Sequence, residues 1–255
     1  MAFIDDNPAE RQWVQGQLPE VTVIDLPDDP ASFAAALRDC PVFERTSVSS
    51  EDRERGRYYA EQRLRTELEQ TATTREDFLW SLQMEVRIEL VKPETVGRVA
   101  QLTQKTNQFN LTTRRYSEQQ VSEMASQDDW HVYTAQVLDR FGDNGLVGVA
   151  ITHRQGDVCE VDTFLLSCRV IGRTVETSLL VTVAEQASSE GAAKLVGQFL
   201  PTKKNAPAKD FYPSHGLVCT SEEAGGSRWE LDLASLQVQS PSWIKRSVRL
   251  ERGTP

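Results

Sequence analysis

Between Val132 and Ala187 the chain reads strand, strand, strand, glycine-containing loop, helix, and no other stretch restricts the possible folds as strongly. Val132–Leu138 and Gly145–Thr152 are strand patterns flanking Arg140-Phe141-Gly142-Asp143-Asn144-Gly145. The Asn-Gly pair there predicts a hairpin turn, because both residues tolerate positive φ. Cys159–Cys168 alternates and then becomes wholly apolar, a third strand. Arg169-Val170-Ile171-Gly172-Arg173-Thr174 then leads into a helix with Val175, Leu179, Leu180, Val183, Ala184 and Ala187 on one face. A strand that enters a helix through such a loop presents backbone N–H groups and the positive end of a helix dipole, a seat for a phosphate group. Arg169, Gly172, Arg173 and Thr174 are the candidate ligands for it. Lys194–Phe199 follows as a further strand.

Upstream, Val86–Leu90 alternates as a strand, and Thr95–Thr106 has the apolar spacing of a helix. From Gln104 to Arg115 nearly every side chain hydrogen-bonds, a poor core and a good lining for a polar pocket. Lys105, Asn107, Gln108, Asn110, Thr112 and Arg114 are candidate substrate ligands, with Lys105, Arg114 and Arg115 available to clamp a carboxylate or phosphate. The first residues read β-α-β-α. Phe3-Ile4 is a strand end, Asp6 or Asn7 caps a helix starting at Pro8, Val21–Ile24 is a second strand, and Asp29-Pro30 opens a second helix. Two short parallel strands cannot form a sheet covered on both faces, so partner strands are missing. Glu51–Gln70, dense in acids and arginines, reads as a solvated connecting helix. Thr74 and Asp77 make a weak helix cap before Phe78–Leu82. From Pro241 onward Lys245, Arg246, Arg249 and Arg252 read as a basic tail. The expected division is 1–48, 49–84, 85–240 and 241–255.

Charge narrows the partners. Twenty-eight Lys and Arg against 38 Asp and Glu leave a net charge of −10, which argues against general binding to nucleic acid or a membrane surface. No apolar run approaches the roughly 20 residues of a membrane span. Four widely spaced cysteines without a Cys-x-x-Cys, and three histidines, give little support to a zinc site or a disulfide framework. A reducing cytoplasm is therefore expected.

Three resemblances add to this reading. Asp5-Asp6 at a strand end resembles the closing motif of haloacid-dehalogenase-type (HAD-like) phosphatases, in which paired aspartates hold Mg²⁺. The Asp-x-Asp nucleophile motif of those enzymes occurs nowhere in the sequence, so Asp5 and Asp6 could serve Mg²⁺ only with the missing part. The Gly172 loop and Asn205-Ala206-Pro207-Ala208-Lys209-Asp210-Phe211-Tyr212-Pro213-Ser214-His215-Gly216-Leu217 resemble the two signatures of the GNAT acyltransferase fold. This implies an α+β domain with a mixed sheet and flanking helices, after the end of a doubly wound α/β domain. It also implies that Asn205 contacts a pantetheine arm and Tyr212 lies beside its thiol. Phe3–Arg11, Gln101–Arg115, Arg140–Gly145, Asp162–Arg173 and Lys204–Pro207 together resemble the FkbH-like family of polyketide pathways. That resemblance implies transfer of a glyceryl unit from 1,3-bisphosphoglycerate, a three-carbon phosphorylated acid, to the phosphopantetheine of an acyl carrier protein. In that scheme Cys168 is the nucleophile. Its base is left open among Asp162, His153 and His215, and Lys203, Lys204 and Lys209 offer a docking face to an acidic carrier. The rival readings are a GNAT N-acyltransferase using acyl-CoA directly, and a non-catalytic fragment that binds a partner.

Overall fold

The structure, a computed structural model, describes residues 2–19, 21–40, 50–223 and 225–251. The chain divides into two compact units, residues 1–56 and 57–255.

In the first unit β1 (Ala2–Phe3) pairs in parallel with β2 (Thr22–Val23), joined by α1 (Pro8–Gln17), and α2 (Phe33–Arg38) follows. Asn7 caps α1 by accepting the Ala9 N–H at 3.0 Å, with Pro8 in the first turn. This is the expected β-α-β-α order; residues 41–48 of the expected segment lie outside the described residues. Asp5 Oδ1 accepts the Asn7 N–H at 2.8 Å, and Arg11 donates to the carbonyls of Asp5 and Asp6. Among the described residues no three His, Cys, Asp or Glu side chains converge as a metal requires. Asp5 is tied into a turn, and Mg²⁺ binding by Asp5 and Asp6 is the expectation only together with the missing part.

The second unit contains α3 (Ser50–Thr71, from residue 57 on), α4 (Arg75–Ser81), β3 (Met84–Leu90), α5 (Val96–Lys105), β4 (Phe109–Asn110), α6 (Glu118–Ser126), β5 (Trp130–Asp139), β6 (Gly142–Gln155), β7 (Val158–Leu166), α7 (Val175–Ser189), β8 (Lys194–Phe199), α8 (Phe211–Ser214), β9 (Val218–Glu223), β10 (Gly226–Asp232) and β11 (Ile244–Arg249). Among the described residues its nine strands form one mixed sheet in the order β11-β3-β5-β6-β7-β8-β10-β9, with β4 paired to β7. The pairs β11·β3 and β7·β8 are parallel; the rest are antiparallel. Strand side chains alternate between faces. Phe164 and Leu166 accordingly join the core around α7, while Leu165 joins a second core with α5 and α6. No helix among the described residues is long and apolar enough to cross a membrane.

In three places the structure departs from the sequence expectation. The hairpin turns at Arg140-Phe141, not at Asn144-Gly145, because the Asp139 carboxylate accepts the N–H groups of Phe141 and Gly142 at 2.9 and 3.2 Å. Asn144 and Gly145 instead form a bulge within β6, with Gly145 at φ 72° and Asn144 donating to the Val137 carbonyl. The basic tail is no tail: residues 244–249 add a strand parallel to β3, burying Ile244 and pairing Arg246 with Glu185 and Lys245 with Glu85. Charges that suggest a tail also suit an edge strand, where they discourage further pairing. Arg252 lies outside the described residues. The charged helix α3 is not simply solvated, since Glu61 and Arg65 are buried. Arg65 makes a two-pronged bridge to Asp139 at 2.7 and 2.9 Å, and Arg173 joins from the other side at 3.2 Å.

Candidate active site

β7 and β8 are paired only from Val158↔Lys194 to Val161↔Gly197. Beyond that point both strands continue, to Leu166 and Phe199, without pairing to each other. A parallel pair that forks leaves two facing rows of backbone groups to be satisfied by something else.

On β7 the fork begins with a bulge. Ile151 pairs with Thr163 and Thr152 with Val161, so Asp162 is the extra residue. Its buried side chain accepts from the Tyr116 hydroxyl at 2.6 Å, from Thr163 Oγ1 at 2.9 Å and from the Arg114 guanidinium. Its carbonyl accepts the Thr112 hydroxyl at 2.9 Å. Burial raises the Tyr116 hydroxyl above its ordinary range against the pull of Arg114, so Tyr116 donates to the carboxylate at neutral pH.

Against β8 the fork is marked by Tyr212 of α8. It is 1% exposed, packs against Phe211 and Trp229, and its hydroxyl has no hydrogen-bond partner among the described residues. Burial and the nearby Glu160 raise the phenol well above its usual value, so it stays protonated. An unmatched buried hydroxyl costs about 1–3 kcal/mol, and this one lies against Gly197, the last β8 residue paired with β7. A Cβ built on Gly197 would overlap the hydroxyl and its ring carbon. Gly197→Ala is therefore expected to displace Tyr212 and to cost about 1–3 kcal/mol, read from urea unfolding.

Within the fork sits β4. Its residues Phe109 and Asn110 pair with Leu166 and Leu165, the Leu111 N–H reaches the Phe164 carbonyl at 3.1 Å, and the Leu111 carbonyl accepts the Leu200 N–H at 2.8 Å. Asn205, fully buried, donates to the carbonyls of Asn110 (2.9 Å) and Leu200 (3.0 Å) and accepts from Thr202. Asn110 in turn accepts the Thr113 N–H, holding Thr113 at φ 53°.

The structure thus gathers Asp162, Tyr212, Asn205, Asn110, Thr112 and Arg114 around one fork. Tyr116 was not singled out by the sequence, although an aromatic hydroxyl closing a polar run is a usable signal. Other candidates lie elsewhere. Lys105 and Gln108 are exposed, and Asn107 holds Arg115, which caps the carbonyls of Thr103 and Thr106 at the end of α5. His153 stacks on Trp130, pairs with Asp129 and sits opposite Glu160, at the far end of β7 from Cys168. It cannot serve as that residue's base. The bulge turns Asp162 toward Arg114 and Tyr116, and β7 stays extended for four more residues, roughly 13 Å, before Cys168. Cys168 is exposed in the loop, with no hydrogen bond to Asp162, His153 or His215 among the described residues.

The loop before α7 is also largely committed. Arg173 is buried between Asp139 and Gln62, where desolvation and Arg65 pull it down to about 10. A guanidinium so placed is a structural ion rather than a phosphate ligand. Arg169 stacks on Tyr58 and donates to the Asn144 carbonyl. Gly172, at φ 82°, turns its carbonyl to Arg75, and the Thr174 hydroxyl accepts from Trp243. Glu176, in the first turn of α7, has its carboxyl raised by burial. His215 is held neutral by burial; Nδ1 meets the Phe211 carbonyl at 2.6 Å and Nε2 the Thr177 hydroxyl at 2.8 Å, which ties α8 to α7.

No family model and no curated protein matches the chain. Among solved structures it is similar to the ribosomal-protein-S18-alanine N-acetyltransferase from Escherichia coli, with 14% identity, 58% of this chain and 94% of that one covered, and a TM-score of 0.45. It is similar to the GNAT domain of S. lividans PAT, with 19% identity over 57% and 89% of the two chains and a TM-score of 0.46. The PaiA N-acetyltransferase from Thermoplasma acidophilum in complex with coenzyme A gives 13%, 58% and 98%, with a TM-score of 0.45.

Proposed function

We propose that the chain is an acyltransferase that moves an acyl group from a pantetheine thioester, coenzyme A in the simplest case, directly to an acceptor amine. The observation that supports this reading best is the fork itself, with a protonated, unpartnered Tyr212 hydroxyl from α8 lying against Gly197 of one strand, and Asp162 of the other strand clustered with Tyr116 and Arg114. In the resemblance to GNAT enzymes, Asn205 contacts the pantetheine arm and Tyr212 lies beside its sulfur.

The chemistry follows from these roles. The acceptor nitrogen attacks the thioester carbonyl carbon, its proton passes to the Asp162 carboxylate, and the tetrahedral intermediate collapses with cleavage of the C–S bond. The electron pair leaves on sulfur. A phenol raised this far is a weaker acid than a thiol, so Tyr212 stabilises the departing thiolate by donating a hydrogen bond rather than by surrendering its proton outright. Tyr116 and Arg114 hold Asp162 toward the acceptor.

A second reading takes the exposed position of Cys168 in the loop after β7, with Lys203, Lys204 and Lys209 also exposed. There a glyceryl group passes through a Cys168 thioester to the phosphopantetheine of an acyl carrier protein. One substitution separates the two. With direct transfer, Cys168→Ala keeps acyl transfer within about threefold of wild type and no acyl adduct appears on the chain by intact mass. Loss of transfer together with loss of a wild-type adduct would establish the thioester route instead. Steady-state assays with acetyl-CoA and a panel of amines, and with bisphosphoglycerate and carrier protein, make the comparison.

A further inference from the structure

Three of the polar groups that line the fork are already satisfied by the chain itself. β7 offers the Phe164 carbonyl, taken by the Leu111 N–H; β8 offers the Leu200 N–H, given to the Leu111 carbonyl; and Asn205 Nδ2 is given to the Asn110 carbonyl. Two consecutive peptide groups of the segment 109–111 therefore occupy one acceptor and two donors. Outside the fork the segment is tethered on both sides, by Arg115 at Thr103 and Thr106 and by the strained αL turn at Thr113.

We infer that Phe109-Asn110-Leu111 is an internal occupant of the donor groove, and that an acyl donor binds by exchanging its own two amides for those of this segment. The inference rests on the donor reading above. A pantetheine arm is an extended chain with two amide groups, each one donor and one acceptor, which is the chemistry these three fork groups are matched to. Strand-like ligands gain affinity from main-chain hydrogen bonds of this kind. The closed arrangement also satisfies these three groups without donor. Closure lowers the apparent affinity for donor by the fraction of molecules that are open, and so makes the groove a gate. Phe109 is the apolar latch: its ring meets Phe164 at 6.4 Å and Phe211 at 5.6 Å between centroids.

The test is amide hydrogen exchange on the full chain, with and without saturating coenzyme A, alongside calorimetric binding. On binding, the Leu111 amide is expected to exchange about tenfold faster or more, while Val161 and Gly197 in the paired stem keep their protection. Binding of coenzyme A with Leu111 still protected would overturn the gate and leave the donor reading standing. Should wild type bind too weakly to saturate, Phe109→Ala is expected to bind about tenfold tighter. Phe109→Leu keeps an apolar side chain and serves if the alanine variant does not fold. A folded latch variant that binds no coenzyme A would overturn the donor reading, and the gate with it.

Discussion

Tyr212→Phe is expected to abolish most acyl transfer while leaving the protein as stable as before, or more so. The two effects come from one atom. The Tyr212 hydroxyl is fully buried without a partner, so deleting it removes a desolvation cost of about 1–3 kcal/mol and creates no new orphan. The ring, which makes the contacts with Phe211 and Trp229, remains. In the proposed reaction, however, that hydroxyl is the donor aimed at the departing sulfur, and loss of one such preorganised donor costs about 10²–10³ in kcat. Thermal unfolding and steady-state kinetics on the same preparation check both halves. Unchanged kcat would remove Tyr212 from the reaction. A large loss of stability would mean that the hydroxyl is structurally matched after all.

The second large effect concerns stability alone. Asp139, with no exposed side-chain surface, accepts from Arg65, Arg173 and Asn144 and from the N–H groups of Phe141 and Gly142. Asp139→Ala removes the carboxylate shared by two buried guanidinium groups and opens the turn between β5 and β6. Removing one partner of a buried ionic cluster costs about 3–5 kcal/mol, a large share of a typical total. Equilibrium urea denaturation is the measurement, and a cost under about 1 kcal/mol would contradict the cluster's role. The pH dependence has a defined sign. Burial pushes the Asp139 carboxyl up, but the Arg65 hydrogen bond, the Phe141 N–H and Asn144 together hold it below the ordinary carboxylate value. Its contribution is therefore present above the unfolded carboxylate range, near pH 4, and disappears as pH falls through the lowered folded value. Wild type is expected to lose stability on acidification more steeply than Asp139→Asn.

The sequence made the elements of the second unit easy to read because local periodicity and burial agreed. Lys194–Phe199 coincides with β8, Val86–Leu90 lies within β3, and the apolar face from Val175 to Ala187 is α7. Errors arose where one residue type serves two environments. Asn-Gly suits a hairpin turn and a bulge alike, and the Asp139 carboxylate decided between them. A run of arginines and glutamates suits a solvated helix, yet Arg65 is neutralised by a residue 74 positions away. Arg173 looked like a phosphate ligand from its place before a helix, and the same distant aspartate claims it.

The same contrast separates the two halves of the candidate site. By itself the sequence determined the strand–loop–helix–strand order, the polar character of Gln104–Arg115, and the presence of Asn205 and Tyr212 after β8. Only the tertiary structure decided that β7 and β8 part after Val161 and Gly197, that a bulge turns Asp162 toward Tyr116, and that residues 109–111 fill the gap. The physical reason is the range of the interactions. Periodicity reports how each residue meets water and its near neighbours, whereas strand pairing, bulge position and charge partnership are fixed by backbone hydrogen bonds and burial between residues some 50 to 100 positions apart.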